Sequence, residues 1–81
     1  MSGRVLSRPR LRVLELAGEG QLRIAGDGRT YAVGGHAFSR QSLTAARRAG
    51  EVELNVVTGV LHLTDLGRER LRGAAQEGAR R

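Results

Sequence analysis

The chain has 81 residues and a net charge of +6, with no cysteine, no tryptophan, one phenylalanine and one tyrosine. That length fits a single domain, and without cysteine neither a disulfide nor a thiolate zinc site can stabilise it. The core is therefore expected to be aliphatic, and pairing with a second copy would be a natural way to enlarge so small a core.

The charge is unevenly distributed along the chain. All 14 basic residues are arginine; nine of them, against three acidic residues, fall within 1–50, and five of each kind fall within 51–81. The stretch between Asp27 and Glu51 has no acidic residue but contains four arginines, Arg29, Arg40, Arg47 and Arg48. Positive charge on this scale attracts polyanions. We therefore expect an anionic partner to bind this stretch.

No segment is an apolar run of signal-peptide length or of the roughly 20 residues that a membrane span needs, so we expect a cytoplasmic protein that does not bind membranes.

The N-terminal part is predicted to form a flexible arm followed by a short helix. Residues 1–8 are predicted to be a flexible arm. A helix over Pro9–Ala17 should follow, because Pro9 suits a first helical turn and glycines come directly after Ala17.

Alternating apolar residues then predict a hairpin. Leu22 and Ile24 lie in the segment Gln21–Ala25, and the sequence Gly-Asp-Gly that follows it is typical of a turn. The segment Arg29–Val33 continues the alternation, so the two segments are predicted to pair as antiparallel strands.

The second helix is predicted over residues 40–49, with both of its ends marked in the sequence. Ser39 is a favoured N-cap, and Phe38 is placed for a hydrophobic staple with Leu43. Gly50 lies where a left-handed residue commonly ends a helix. Leu43, Ala46 and Ala49 should face the core.

The other side of this helix carries the candidate site residues, which are Arg40, Gln41, Thr44, Arg47 and Arg48. Arginine can form paired hydrogen bonds to guanine and glutamine to adenine, while threonine can contact a thymine methyl or a phosphate. The alternative is an ordinary solvated helix face, but such faces usually mix charges of both signs. This pattern favours a helix that enters the major groove of DNA.

A second hairpin, Glu51–Leu63, and a third helix complete the predicted domain. Val52 and Leu54 alternate with polar residues, and a turn is expected near Thr58-Gly59. Thr64 should cap the last helix, whose Leu66, Leu71 and Ala74 could face the core. The globular part is predicted to span residues 9–72, with a disordered tail over 73–81. The fold class is therefore α+β, in the order helix, hairpin, helix, hairpin, helix.

At this point the sequence resembles a known family. Phe38–Gly50, the hairpin after it and the run Leu63-Thr64-Asp65-Leu66-Gly67-Arg68-Glu69-Arg70-Leu71 look like a winged-helix DNA-binding domain of the MarR-like kind, over residues 38–72. The resemblance implies a winged-helix fold in which residues 40–49 form the recognition helix and Glu51–Leu63 the wing. A hairpin at 21–33 nevertheless stands where many members have a helix.

The tip of the predicted wing departs from the family in its chemistry. It has no basic residue to enter a minor groove, and Glu51 and Glu53 are expected to repel phosphate. Its apolar residues, Val56, Val57 and Val60, are instead expected to contact a second copy or another protein.

Nothing in the sequence predicts catalysis. His36 and His62 lie on different elements with no acidic residue at ligand spacing, so we expect no metal site, no cofactor and no small-molecule substrate. The protein is not expected to be an enzyme.

Three functions remain. The first is a small DNA-binding transcriptional regulator or phage-type accessory factor, a homodimer that binds duplex DNA through the second helix and through arginines of the N-terminal region, Arg4, Arg8, Arg10 and Arg12. The second is a module that binds a polymerase or repressor subunit through its apolar wing tip. The third is a basic RNA-binding protein, which is disfavoured because Tyr31 and Phe38 are the only aromatic residues that could stack on bases.

Overall fold

The computed structural model describes residues 6–79, the last five of them by their backbone alone. The domain is α+β, as predicted, with three helices and four strands. In chain order these are α1 (Arg8–Gly18), β1 (Leu22–Ile24), β2 (Thr30–Ala32), α2 (Arg40–Arg48), β3 (Val52–Asn55), β4 (Val60–Leu63) and α3 (Asp65–Ala79).

The strands form a single antiparallel sheet in the order β2-β1-β4-β3. Both predicted hairpins are present, β1 with β2 and β3 with β4. The two hairpins join where Arg23 of β1 pairs with Val60 of β4, and the amide of Ile24 donates to the carbonyl of Gly59 (2.8 Å). The β3–β4 hairpin is thereby fixed to the rest of the sheet.

The core lies between α1 and one face of the sheet. Helix α1 packs against α2, α3 and β4, and it supplies four buried residues, Val13, Leu14, Leu16 and Ala17. The sheet adds Leu22, Ala32, Val52, Leu61 and Leu63, and α2 adds Leu43 and Ala46. The aliphatic core that the composition predicted is confirmed. Phe38 is half-buried against this core.

The predicted ends of α2 are confirmed. The hydroxyl of Ser39 accepts from the amide of Ser42 (3.1 Å), which satisfies one free N–H of the first turn. At the other end Gly50 has a φ of +78°, a conformation that favours glycine. The amide of Glu51 then bonds back to the carbonyl of Ala46 (2.9 Å), which closes the helix with a Schellman-type turn.

The helices differ from the prediction mainly at their bounds. Ser7 caps α1 by accepting from the amide of Arg10, and Leu6 packs against the core, so the predicted arm over residues 1–8 is too long. Residues 1–5 lie outside the described part of the chain. Helix α3 extends to Ala79, which corrects the predicted tail over 73–81; residues 80 and 81 are not described. The reason is that Ala, Gln and Glu between the two tail glycines are good helix formers.

Two apolar residues expected in the core are exposed. Ala49 is the C-cap of α2 and faces solvent, because the chain turns away from the helix at Gly50. Leu66 is 37% exposed, since it lies in the first turn of α3 before that helix reaches the core. Leu71, by contrast, packs against the core, and Ala74 is half-buried.

Candidate nucleic-acid interface

The exposed side of α2 brings the five candidate residues together. Leu43 and Ala46 are buried and hold the helix against the domain. At 100° per residue the exposed residues fall within an arc of about 120°. They follow one another around the helix in the order Arg47, Arg40, Thr44, Arg48 and Gln41, and all of them are exposed. We call these five residues the α2 face.

The arginines of the α2 face are available to an outside anion. Within the described residues no carboxylate lies at ion-pair distance from Arg40, Arg47 or Arg48. Arg40 instead lies over the ring of Phe38, with its guanidinium carbon 5.9 Å from the ring centroid, a cation–π arrangement. Arg47 and Arg48 are in the last turn, where positive charge also suits the helix dipole.

The N-terminal arginines differ in their exposure and in their partners. Arg8 is exposed at the start of α1, and Arg12 is exposed and lies 3.4 Å (Nη2 to Nδ1) from His36 in the loop before α2. Arg12 is thus near the segment that leads into the α2 face. Arg10 is turned inward and paired with Glu51, while Arg4 lies outside the described residues.

Glu51 has a role that the sequence analysis missed. Its side chain is fully buried, and each carboxylate oxygen accepts from one arginine at 2.7 Å, Oε1 from Arg10 and Oε2 from Arg70. The expectation that Glu51 would repel phosphate is therefore wrong, because the carboxylate is buried and neutralised inside the domain. Glu53, the next acidic residue, is exposed as expected.

The triad formed by Glu51, Arg10 and Arg70 joins three elements. Arg10 belongs to α1, Arg70 to α3, and Glu51 to the bend between α2 and β3. The two arginines keep part of their surface in water, with 21% and 34% of their side chains exposed. A buried carboxylate needs such partners, since an uncompensated charge in a core is very unfavourable. The triad positions α2 relative to the other two helices.

The tip of the β3–β4 hairpin is well formed and apolar. Val56 and Val57 are 84% and 89% exposed, whereas Val60 belongs to β4 and is half-buried. The side-chain oxygen of Asn55 accepts from the amides of Val57 (2.9 Å) and Thr58 (3.2 Å), which fixes the turn. Two of the three valines predicted to contact a partner are therefore free to do so.

The histidines serve local contacts. His62 faces Glu53 across the hairpin, with 3.8 Å between Nε2 and Oε1, and His36 contacts Arg12. Among the described residues no group of three potential metal ligands comes together.

Comparison with known proteins gives no match to a family model, to a curated protein or to a solved structure. Within the described part of the chain, no helix combines the length and the apolar character needed to cross a membrane.

Proposed function

We propose that the protein is a small DNA-binding domain, with a regulatory or accessory role, that inserts the α2 face into the major groove of duplex DNA. The observation that carries this proposal is the α2 face itself, where three arginines lie beside Gln41 and Thr44 with no acidic residue among them. Guanidinium groups that no carboxylate neutralises can donate hydrogen bonds to phosphates and to base edges.

The dimensions of α2 fit this role. With its side chains a helix is about 10–12 Å across, and the major groove is about 12 Å wide, so the groove admits the nine-residue α2. Within the α2 face, Arg40 and Gln41 lie in the first turn and Arg47 and Arg48 in the last. We assign base contacts to Arg40, Gln41, Thr44 and Arg47, and phosphate contacts to Arg48, Arg8 and Arg12.

The order of elements is like that of a winged helix after α1, but it differs from that family between α1 and α2. A two-stranded hairpin follows α2, and a helix that begins with a Thr cap follows the hairpin. Between α1 and α2, however, the chain forms the β1–β2 hairpin instead of a helix and a tight turn. The proposal therefore depends on the α2 face and not on the family.

Binding to duplex DNA tests the proposal. We expect labelled random-sequence duplexes to bind at low salt, and Arg47→Ala and Arg48→Ala each to weaken binding. Arg72→Ala is the matched control, because it removes the same charge from an exposed position on α3. If the three variants bind equally, the α2 face is not the DNA-binding surface. If no duplex binds even at low salt, the protein is not a DNA-binding domain.

A second candidate function is supported by the hairpin tip. Two adjacent valines that are almost fully exposed forfeit the stabilisation of burial, about 1.5 kcal/mol each. Such residues on a rigid turn are typical of a protein contact. In this alternative the tip binds a protein subunit, and the protein would bind that partner without any affinity for duplex DNA.

A further inference from the structure

The sheet has a second surface that the α2 face does not involve. Side chains alternate between the two faces of a strand, so the neighbours of the buried core residues project to the side opposite α1. Residues that are Cα partners across the strands share a face, and one such row crosses all four strands in register. It consists of Tyr31, Arg23, Val60 and Asn55. We call this side of the sheet the open face.

Tyr31 is the feature of the open face that stands out. It is the single tyrosine of the chain, and 46% of its surface is exposed, although a large aromatic side chain usually packs in a core. Its direct partner on the neighbouring strand is Arg23. Opposite residues of this kind have Cβ atoms about 5 Å apart. The two side chains therefore leave the sheet from adjacent positions on the open face.

Arg23 also lines a groove on this face. Among the described residues no carboxylate lies at ion-pair distance from its guanidinium group. The groove has a volume of about 420 Å³ and is lined by Arg23, Asn55, Thr58, Val60 and His62. Its lining contains no acidic residue and carries the positive charge of Arg23.

We propose that the open face binds single-stranded nucleic acid, with one base stacked on Tyr31 and the adjoining phosphate held by Arg23. Sequence-tolerant single-strand binding combines an aromatic platform with a basic groove that follows the backbone. Both parts are present in one row of the sheet. The bases of a duplex are stacked on each other and cannot reach Tyr31, so the ligand is a single strand.

Glu53 limits the path of the strand. It lies on the open face at the edge strand β3, where its carboxylate is near His62. A phosphate would be repelled there. The bound strand therefore crosses β2, β1 and β4 and does not continue over Glu53, which restricts the site to a few nucleotides.

The intrinsic fluorescence of Tyr31 provides a direct measurement, since the chain has no tryptophan and no other tyrosine. We expect an oligothymidylate of about 12 nucleotides, a length within the usual single-strand sites, to quench this emission by stacking. Duplex DNA bound at the α2 face should leave the emission unchanged, because α2 packs on the other side of the domain. This distinguishes the proposal from duplex binding.

Variants complete the test, with binding followed by the anisotropy of a labelled oligothymidylate. Tyr31→Leu should weaken binding by about 5- to 150-fold, whereas Tyr31→Phe, which keeps an aromatic ring, should stay within about twofold. Arg23→Gln should reduce the salt dependence by about 0.7, the value for one phosphate of a single strand. Glu53→Gln removes a negative charge from the same face, so it should not weaken binding.

Two results would overturn the proposal. One is an unchanged tyrosine emission together with equal binding by the leucine and phenylalanine variants. The other is a change of tyrosine emission with protein concentration in the absence of any oligonucleotide, since a second copy would then cover the open face.

Discussion

The carbonyl oxygen of Glu51 lies where any residue other than glycine would place its Cβ at position 67, so this position in the first turn of α3 requires Gly67. A Cβ built on Gly67 would stand 2.0 Å from that oxygen and 3.0 Å from a methyl group of Leu63. The same carbonyl accepts from the amide of Thr64 (3.0 Å), the residue that caps α3. Backbone contact at Gly67 and the ion triad at the Glu51 side chain therefore fix α3 from the same residue.

The close contact predicts that Gly67→Ala destabilises the domain by about 3 kcal/mol or more, because the added methyl group must displace backbone rather than a flexible side chain. Gly73→Ala is the control in the same helix. A Cβ there meets nothing within 4 Å, so alanine should stabilise by about 0.5–1 kcal/mol. Urea unfolding of both variants measures the difference, and equal stabilities would show that α3 does not pack on Glu51.

The buried triad predicts that Glu51→Gln destabilises the domain by about 2–3 kcal/mol. Loss of one partner from a buried ion pair usually costs about 3–5 kcal/mol, and the partial exposure of both arginines lowers that figure. The whole stability of a chain this long is about 4–12 kcal/mol, so the variant should unfold at a clearly lower urea concentration. Glu53→Gln, on the exposed side of β3, should change the stability by less than about 0.5 kcal/mol. A Glu51→Gln protein as stable as the wild type would contradict the role of the triad.

Substitutions at the start of α2 are expected to lower the stability of the domain by a smaller amount. Ser39→Ala removes the acceptor for the amide of Ser42 and should cost about 1 kcal/mol. Phe38→Ala should cost about 2 kcal/mol, toward the lower end for a phenylalanine because the ring is half-buried. Thermal unfolding followed by circular dichroism measures both. A Ser39→Ala domain with unchanged stability would mean that another group satisfies the first turn.

The exposed valines predict a homodimer at micromolar concentration that uses the hairpin tip. Burial of Val56 and Val57 against a second copy would recover their hydrophobic stabilisation and enlarge a small core. Val57→Asp should then give a monomer, while Ala37→Asp, an exposed position in the loop before α2, should leave the dimer intact. Light scattering decides between the two states. A wild-type protein that is monomeric at high concentration would contradict the prediction.

The sequence predicted the elements of this fold well because their determinants are local. The Ser39 cap, the left-handed Gly50 and the alternation in both hairpins each depend on residues within a few positions of one another. The α2 face could be predicted for the same reason, since helical periodicity alone brings Arg40, Thr44 and Arg48 onto one side.

The features that the sequence did not reveal depend on residues far apart in the chain. Glu51 is 41 residues from Arg10 and 19 from Arg70, and strand alternation placed its carboxylate in solvent. No local pattern distinguishes it from Glu53. The row of Tyr31 beside Arg23 and Val60 was equally hidden, because it requires β1 to pair with β4 across the two hairpins.

The salt dependence of duplex binding shows directly whether the α2 face binds DNA phosphates. If the α2 face contacts phosphates, the logarithm of the affinity falls linearly with the logarithm of the salt concentration, by about 0.9 per phosphate neutralised. Arg48→Ala should lower the slope by about one, whereas Arg47→Ala, which removes a base contact, and Arg72→Ala should leave the slope nearly unchanged. A slope that falls equally for all these variants, or a wild-type protein that binds no duplex at low salt, would mean that the α2 face is not a DNA-binding surface.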